Sequence, residues 1–233
     1  REIISNWSYC LIDYKGNMEN NNLNKKMIEG QIKPLGNIND NILEAFSSIP
    51  RDNFVPKELQ DLSYLEKHLD LKNNRFLLKA SLIAKIISLA DIKSNDTVLI
   101  IGSSTGYSSA ILSRIAETVI SIEEEENLIS FSENAVQEKE IDNVVFINKK
   151  LSDGCPEHGP FSKIIIEGAI EIIPEKIIEQ LDNNGKMIVI YAKKDLCEAR
   201  EYTKVKDKIG HKFLFNCEAP RLNSFDKSDS FNF

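Results

Sequence analysis

Long hydrophobic runs are absent from this chain of 233 residues. The apolar stretches, such as those at residues 97–101 and 164–166, are far shorter than the roughly 20 residues that a helix needs to cross a bilayer. The first residues are acidic and polar, so they do not form a secretory signal. We therefore expect a cytoplasmic protein that makes no membrane contact. Because the chain opens on Arg1, Met18 and Met27 are candidate start residues.

Cysteine and histidine are also scarce, with four and three residues respectively. None of the cysteines lies in a CxxC pair or beside a histidine at ligand spacing: Cys10, Cys155, Cys197 and Cys217. This pattern predicts free thiols, with neither a metal site nor a disulfide framework. The histidines stand apart from any nucleophile or carboxylate at motif spacing, so none is a candidate for catalysis: His68, His158 and His211.

Basic residues are outnumbered by acidic ones, 29 to 36, which gives a formal net charge of −7. A negative protein repels phosphate backbones at long range, so a nucleic-acid partner is disfavoured. Hydrophobic residues make up 42% of the chain, which is enough to bury a core of its own. We expect a monomer.

The first 26 residues differ from the rest, because asparagine is crowded there and no hydrophobic period is present. This composition predicts a flexible N-terminal extension over 1–26. The region 27–90 contains two predicted amphipathic helices, Asn39–Ile49 and Ala80–Ala90, with mostly loop between them. Residues 91–233 form the third region, a core followed by a C-terminal tail.

From residue 91 onward, short β-branched runs alternate with helical patterns. The predicted strands are Thr97–Ile101, Val119–Ile122, Val144–Ile147, Ile164–Ile166, Met187–Tyr191 and Lys212–Cys217. The predicted helices between them are Tyr107–Ala116, Asn127–Val136 and Pro174–Leu181. Such alternation is typical of an α/β protein whose mostly parallel sheet is covered by helices on both faces.

A turn of small residues, Gly102–Gly106, separates the first of these strands from its helix, where an open parallel sheet binds ligands. Ser104 replaces the glycine that lets a pyrophosphate approach, and the turn lacks the Gly-Lys-Ser/Thr ending of a P-loop. Glu123 ends the next strand at the spacing at which a carboxylate accepts ribose hydroxyls. A ribose site without a pyrophosphate site suggests S-adenosylmethionine. The alternative is that Glu123 only opens an acidic helix start.

Several stretches resemble the protein-L-isoaspartate O-methyltransferase family in their order and spacing, from about Met27 to Tyr191. They are the motif IPRDNFVP at 49–56, the strand and turn at 98–112, the strand end at 121–123, the loop at 153–161 and the helix and strand at 174–187. The resemblance implies a seven-stranded, Rossmann-like methyltransferase fold with an N-terminal helical cap, and S-adenosylmethionine as the cofactor. It also implies methylation of L-isoaspartyl carboxylates in damaged proteins or peptides, and thus protein repair.

The same resemblance assigns cofactor binding to the turn, the second strand end and a later loop. The residues assigned in this way are Gly102, Ser103, Ser104, Gly106, Tyr107, Glu123, Asp153 and Gly154. Asp153 is also an ordinary turn residue in front of a glycine. Three positions depart from the family pattern at this end of the molecule: Ile100, Ser104 and Ser162.

The loop before the second predicted helix departs further. The family reads Gly-x-Gly-Gln-Thr-Ile-Ser-x-Pro, whereas residues 72–80 read KNNRFLLKA, so that Phe76 and Leu78 replace the two hydroxyls. Arg75 and Lys79, beside Leu78, are candidates for binding the substrate carboxylate, because a charge-assisted bond would replace the lost one. The alternatives are that both cations are solvated and Leu78 packs in the core. The chain would then be a diverged or inactive relative that binds the cofactor or partners, or methylates a different carboxylate.

Overall fold

A short hairpin and a seven-stranded sheet make up the β-structure of the computed structural model, which describes residues 22–193, 196–206 and 208–227. The hairpin consists of β1 (Leu69–Asp70) and β2 (Phe76–Leu77). The strands of the sheet are β3 (Thr97–Ile101), β4 (Thr118–Glu123), β5 (Val144–Asn148), β6 (Phe161–Ile170), β7 (Leu181–Lys193), β8 (Leu196–Val205) and β9 (Lys208–Cys217).

The strand order in the sheet is β5-β4-β3-β6-β7-β8-β9. The strands from β5 to β7 pair in parallel, whereas β8 and β9 form an antiparallel edge. From β3 the chain continues to β4 and β5 on one side and returns to β6 on the other. A crevice therefore forms outside the carboxyl ends of β3, β4 and β6, which is where sheets of this kind bind ligands.

The helices pack on both faces of this sheet, as the sequence predicts. They are α1 (Asp40–Ser48), α2 (Ala80–Ala90), α3 (Tyr107–Ser113), α4 (Glu126–Gln137) and α5 (Glu175–Ile178). Strand β3 shows the two layers: Val98 and Ile100 belong to the core shared with α1 to α4, whereas Leu99 and Ile101 belong to the core shared with α5. Alternate residues of a strand face opposite sides of the sheet, which divides these four residues between the two cores. All four side chains are fully buried because both faces are covered.

Several predicted boundaries differ from the structure. Residues 22–27 are helical, and Asn24 is buried with its amide donating to the Phe46 carbonyl at 3.0 Å, so the prediction of a flexible extension is wrong over 22–26. The predicted extension over 1–21 lies outside the described residues. Helix α5 ends early because Leu181 already begins β7.

Strand β8 was not predicted at all. Its sequence is rich in charged residues, and it is stabilised by pairing with β7 and β9 rather than by an apolar pattern of its own. The last predicted strand is correspondingly longer, since β9 begins at Lys208 rather than Lys212.

The chain after β9 returns to the crevice. Leu222 donates its backbone N–H to the Ala169 carbonyl of β6 at 2.9 Å, and the Ala169 N–H bonds the Pro220 carbonyl at 2.8 Å. Phe225 is buried in the core that the sheet shares with α5, whereas Phe231 and Phe233 lie outside the described residues. Within the described ranges, no helix is long and apolar enough to span a membrane.

Candidate cofactor and substrate site

The turn after β3 is fixed by backbone hydrogen bonds to β4. The N–H groups of Gly102 and Ser103 both donate to the Ile122 carbonyl, at 2.9 and 3.2 Å. Gly106 has φ +79°, and a Cβ there would lie 2.8 Å from the Phe146 ring and 2.9 Å from the Ser132 side chain. The glycine is required both for its left-handed conformation and for this close packing.

Glu123 is fully buried at the end of β4 and binds four donors of the protein itself. Its Oε2 accepts the Ser104 N–H at 2.8 Å and Nη2 of Arg75 at 2.5 Å. Its Oε1 accepts the backbone N–H groups of Glu124 and Glu125 at 2.9 and 3.3 Å. The predicted ribose carboxylate is therefore at the predicted place, but its acceptor sites are taken by the chain.

Arg75 reaches this carboxylate from the loop between β1 and β2. Its side chain is 7% exposed and that of Glu123 is 0% exposed, so the ion pair is almost dry. The guanidinium Nη2 lies 3.0 Å from the position that a Cβ on Gly102 would take. Arg75 thus lies directly over the turn, and the structure brings together a residue predicted for the substrate and residues predicted for the cofactor.

Several hydroxyls of the turn are buried without a hydrogen-bond partner among the described residues. They belong to Ser103, Ser104 and Thr105. Unpaired buried hydroxyls are costly and indicate that a polar ligand completes the site. A strand-end carboxylate beside such hydroxyls fits the adenosyl part of S-adenosylmethionine, on the condition that Arg75 gives up its place on Glu123.

Tyr107 takes a different position from its neighbours in the turn. Its ring packs against Phe46 and Phe54, with centroid distances of 6.0 and 5.8 Å, and Arg51 stacks over it at 5.0 Å. Burial raises the pKa of its phenol. The ring joins the turn to the N-terminal helical region.

Glu167 is a site residue that the sequence analysis did not single out. It follows the apolar run Ile164–Ile166 of β6 and is 7% exposed. Burial raises the pKa of its carboxyl to about 7, although the Ser108 hydroxyl and the guanidinium groups of Arg75 and Arg51 oppose this shift. The available signal was a carboxylate directly after a buried strand run, which is the same signal that identified Glu123.

The C-terminal segment also covers the turn after β3. A Cβ on Gly168 would lie 2.5 Å from the Leu222 side chain, and one on Gly102 would lie 3.4 Å from it. Ser224 donates its hydroxyl to Glu124 at 2.7 Å, which fixes this segment to the acidic end of β4. The side chains of Arg75 and Leu222 consequently both lie over Gly102.

The other substrate-loop candidates lie away from Glu123. Leu78 is buried, and its carbonyl accepts Nη2 of Arg51 at 2.7 Å. Lys79 pairs with Glu66 at 3.7 Å, where both side chains are about a third exposed at 31% and 39%. Leu78 therefore packs in the core, as the alternative interpretation expects. Of the two cations, only Arg75 points into the crevice.

The shape of the later loop predicted to bind the cofactor, at Asp153 and Gly154, is explained by hydrogen bonds to Gln180. Gln180 donates to the Asp153 carbonyl at 2.9 Å and accepts the Cys155 N–H at 2.8 Å. Gly154 has φ +63°, and a Cβ there would meet Gln180 at 2.4 Å. The Asp153 side chain is exposed, and its contact with the cofactor stays a prediction.

The sheet order, the small-residue turn and the strand-end carboxylate together define the S-adenosylmethionine-dependent methyltransferase fold. A solved protein-L-isoaspartate O-methyltransferase superposes with TM-score 0.77 at 24% identity, covering 85% of this chain and 65% of the other. A Plasmodium falciparum structure of that description, in complex with S-adenosyl-L-homocysteine, superposes with TM-score 0.73 at 20% identity, covering 88% and 98%. These likenesses establish the fold.

Sequence comparison establishes the family. The model of the protein-L-isoaspartate(D-aspartate) O-methyltransferase family matches residues 21–217, so the chain belongs to this S-adenosylmethionine-dependent family. The protein-L-isoaspartate O-methyltransferase of Petrotoga mobilis is 29% identical over 187 residues, covering 78% of this chain and 86% of the relative. That of Methanospirillum hungatei is 28% identical over 183 residues, covering 78% and 85%.

Proposed function

We propose that this chain transfers the methyl group of S-adenosylmethionine to the carboxylate of an L-isoaspartyl residue in a protein or peptide. The observation that carries the proposal is Glu123, a buried carboxylate at the carboxyl end of β4, beside three hydroxyls that have no hydrogen-bond partner among the residues that the structure describes. This arrangement suits the binding of a nucleoside. Membership of the family indicates the methyl acceptor, an L-isoaspartyl carboxylate. A role in protein repair and a cytoplasmic location follow from that acceptor and from the sequence, and both stay predictions.

The proposed reaction asks for little acid–base chemistry from the protein. When bound, the cofactor supplies a sulfonium methyl group, which passes to a carboxylate oxygen as the S–C bond breaks. The acceptor is already ionised at pH 7, so the protein needs no general base. Glu123 binds and orients the ribose, and the buried walls around Leu222 exclude water. The loss of the loop hydroxyls at Phe76 and Leu78 consequently removes a positioning contact rather than a proton carrier.

The proposal is tested by calorimetric titration of the full chain with S-adenosylmethionine and S-adenosylhomocysteine, beside a methyl-transfer assay. The acceptors are an L-isoaspartyl peptide and the same sequence with a normal aspartyl residue. We expect binding of both nucleosides and transfer to the isoaspartyl peptide only.

Two results would contradict the proposal in different ways. Binding without transfer to either peptide would point to another carboxylate as the acceptor. The absence of binding would support the alternative of an inactive relative that has kept the fold.

A further inference from the structure

We propose that Arg75 exchanges between two carboxylates: it binds Glu123 in the free protein, and it binds the substrate carboxylate once the cofactor has taken Glu123. This inference rests on the proposed function and names the residue that replaces the family's loop hydroxyls. It makes Arg75 both the internal competitor of the cofactor and the residue that selects an anionic acceptor.

The first step of the argument is the occupancy of Glu123. A carboxylate offers about four lone-pair directions, and here four donors already use them. Three of these donors are backbone N–H groups, one from the turn at Ser104 and two from Glu124 and Glu125 directly after β4, so they are fixed by the path of the chain. Arg75 is the single side chain among the four, so it is the donor that can leave when ribose hydroxyls arrive.

The second step is the loop that carries Arg75. Three consecutive residues before it have positive φ, with values of 72° at Lys72, 49° at Asn73 and 57° at Asn74. Side chains disfavour this conformation, so the free state of the loop is strained. The flanking strands β1 and β2 have two residues each, and the Asn73 amide donates a solvent-exposed hydrogen bond to Glu125 at 2.9 Å. The loop can open without breaking the seven-stranded sheet.

The third step is the chemistry of the released guanidinium. Arg75 Nε is buried and has no hydrogen-bond partner within the described part of the chain, so it can donate a hydrogen bond to a second ligand. Arginine stays charged at any physiological pH and binds a carboxylate with two parallel bonds. A substrate carboxylate is therefore the group that best replaces Glu123, and a neutral amide acceptor would leave the cation unpaired.

Substitution of Arg75 with methionine separates this role from a structural one, because the two ligands should respond in opposite directions. We expect R75M to bind S-adenosylhomocysteine about tenfold more tightly, since no internal competitor has to leave. We expect its KM for the isoaspartyl peptide to rise about tenfold or more, since a charged hydrogen bond is lost. R75K, which keeps a charge, should recover part of the peptide affinity.

The matched control is K72M, which removes a lysine from the same loop. The Lys72 side chain is exposed, so neither the nucleoside affinity nor the peptide KM should change. As an independent readout, amide hydrogen exchange over residues 72–75 should speed up when S-adenosylhomocysteine is added and slow again when the isoaspartyl peptide follows.

Weaker nucleoside binding by R75M would overturn the exchange and make Arg75 a support of the cofactor carboxylate. An unchanged peptide KM in R75M would overturn the substrate half. Nucleoside binding by R75M but not by the wild-type chain would support the competition. If neither protein binds the nucleoside, the proposed function itself fails, and this result is distinct from the others.

Discussion

The turn after β3 and the loop before α2 meet at Glu123, but different interactions determine their shapes. The turn has a strong local signal, because its glycines and its place behind an apolar strand are read from the neighbouring sequence, and its backbone N–H groups bond Ile122 of the adjacent strand β4. The loop depends on a partner 48 residues away, because Arg75 has its conformation fixed by Glu123. The comparison indicates that the shape of the turn follows from its own sequence and the adjacent strand, whereas the shape of the loop depends on an ion pair with a distant residue.

The largest expected effect is at the residue that the two regions share. Glu123→Ala leaves Arg75 buried without a partner, and breaking a buried ion pair in this way costs about 3 to 5 kcal/mol of unfolding free energy. It also removes the ribose acceptor, so the binding of S-adenosylhomocysteine should weaken by more than about 1 kcal/mol. Urea unfolding and calorimetry measure the two losses. Glu126→Ala, which removes an exposed carboxylate nearby, is the control. Unchanged nucleoside affinity in Glu123→Ala would contradict the site assignment.

The turn alone is tested by Gly106→Ala. The new Cβ would enter a left-handed conformation and collide with Phe146 and Ser132, so we expect a loss of about 2 to 4 kcal/mol in unfolding free energy. Gly30→Ala is the control, because in the part of the chain that the structure describes no atom outside its chain neighbours and its own helix backbone lies within 4 Å of its Cβ position. Equal stability of the two variants would show that the turn tolerates a side chain at Gly106.

The pH dependence of the unfolding free energy tests Glu167 of β6, the third strand that borders the crevice. The pKa of Glu167 is raised to about 7 by burial, so its protonated form is favoured in the folded protein. This stabilisation is present below the unfolded pKa near 4.5 and is lost as the pH rises through about 7. Relative to Glu167→Gln, the wild-type chain should therefore lose about 2 to 3 kcal/mol between pH 5 and 8.

Urea unfolding of both proteins at several pH values measures this difference. A difference that does not change with pH would show that Glu167 is already ionised in the folded protein. The groups that act on its titration in the folded protein are Ser108, Arg75, Arg51 and Glu123.

The smallest expected effect is at the second cation of the loop. Lys79 and Glu66 form a partly exposed pair, and such pairs contribute less than about 1 kcal/mol. The unfolding free energy of Lys79→Ala should thus lie within about 1 kcal/mol of the wild-type value, and its KM for the isoaspartyl peptide should be unchanged. A large increase in that KM would move the substrate contact from Arg75 to Lys79.

How well each element could be predicted depends on how far apart in the sequence the residues that stabilise it lie. Strands β3 and β4 and helix α2 were predicted within a residue or two, because apolar periodicity acts locally. Strand β8 was missed because its stability comes from its neighbours in the sheet. Glu123 was found by its position, whereas its pairing with Arg75 and the cover provided by Leu222 depend on contacts between distant segments that no local pattern encodes.

The most direct test of the account is a crystal structure of the full chain bound to S-adenosylhomocysteine. The account predicts ribose hydroxyls on the Glu123 carboxylate, backbone N–H contacts that are kept, and an Arg75 guanidinium that has left its position 2.5 Å from Oε2. A complex in which Arg75 still pairs with Glu123 while the nucleoside lies elsewhere would contradict it.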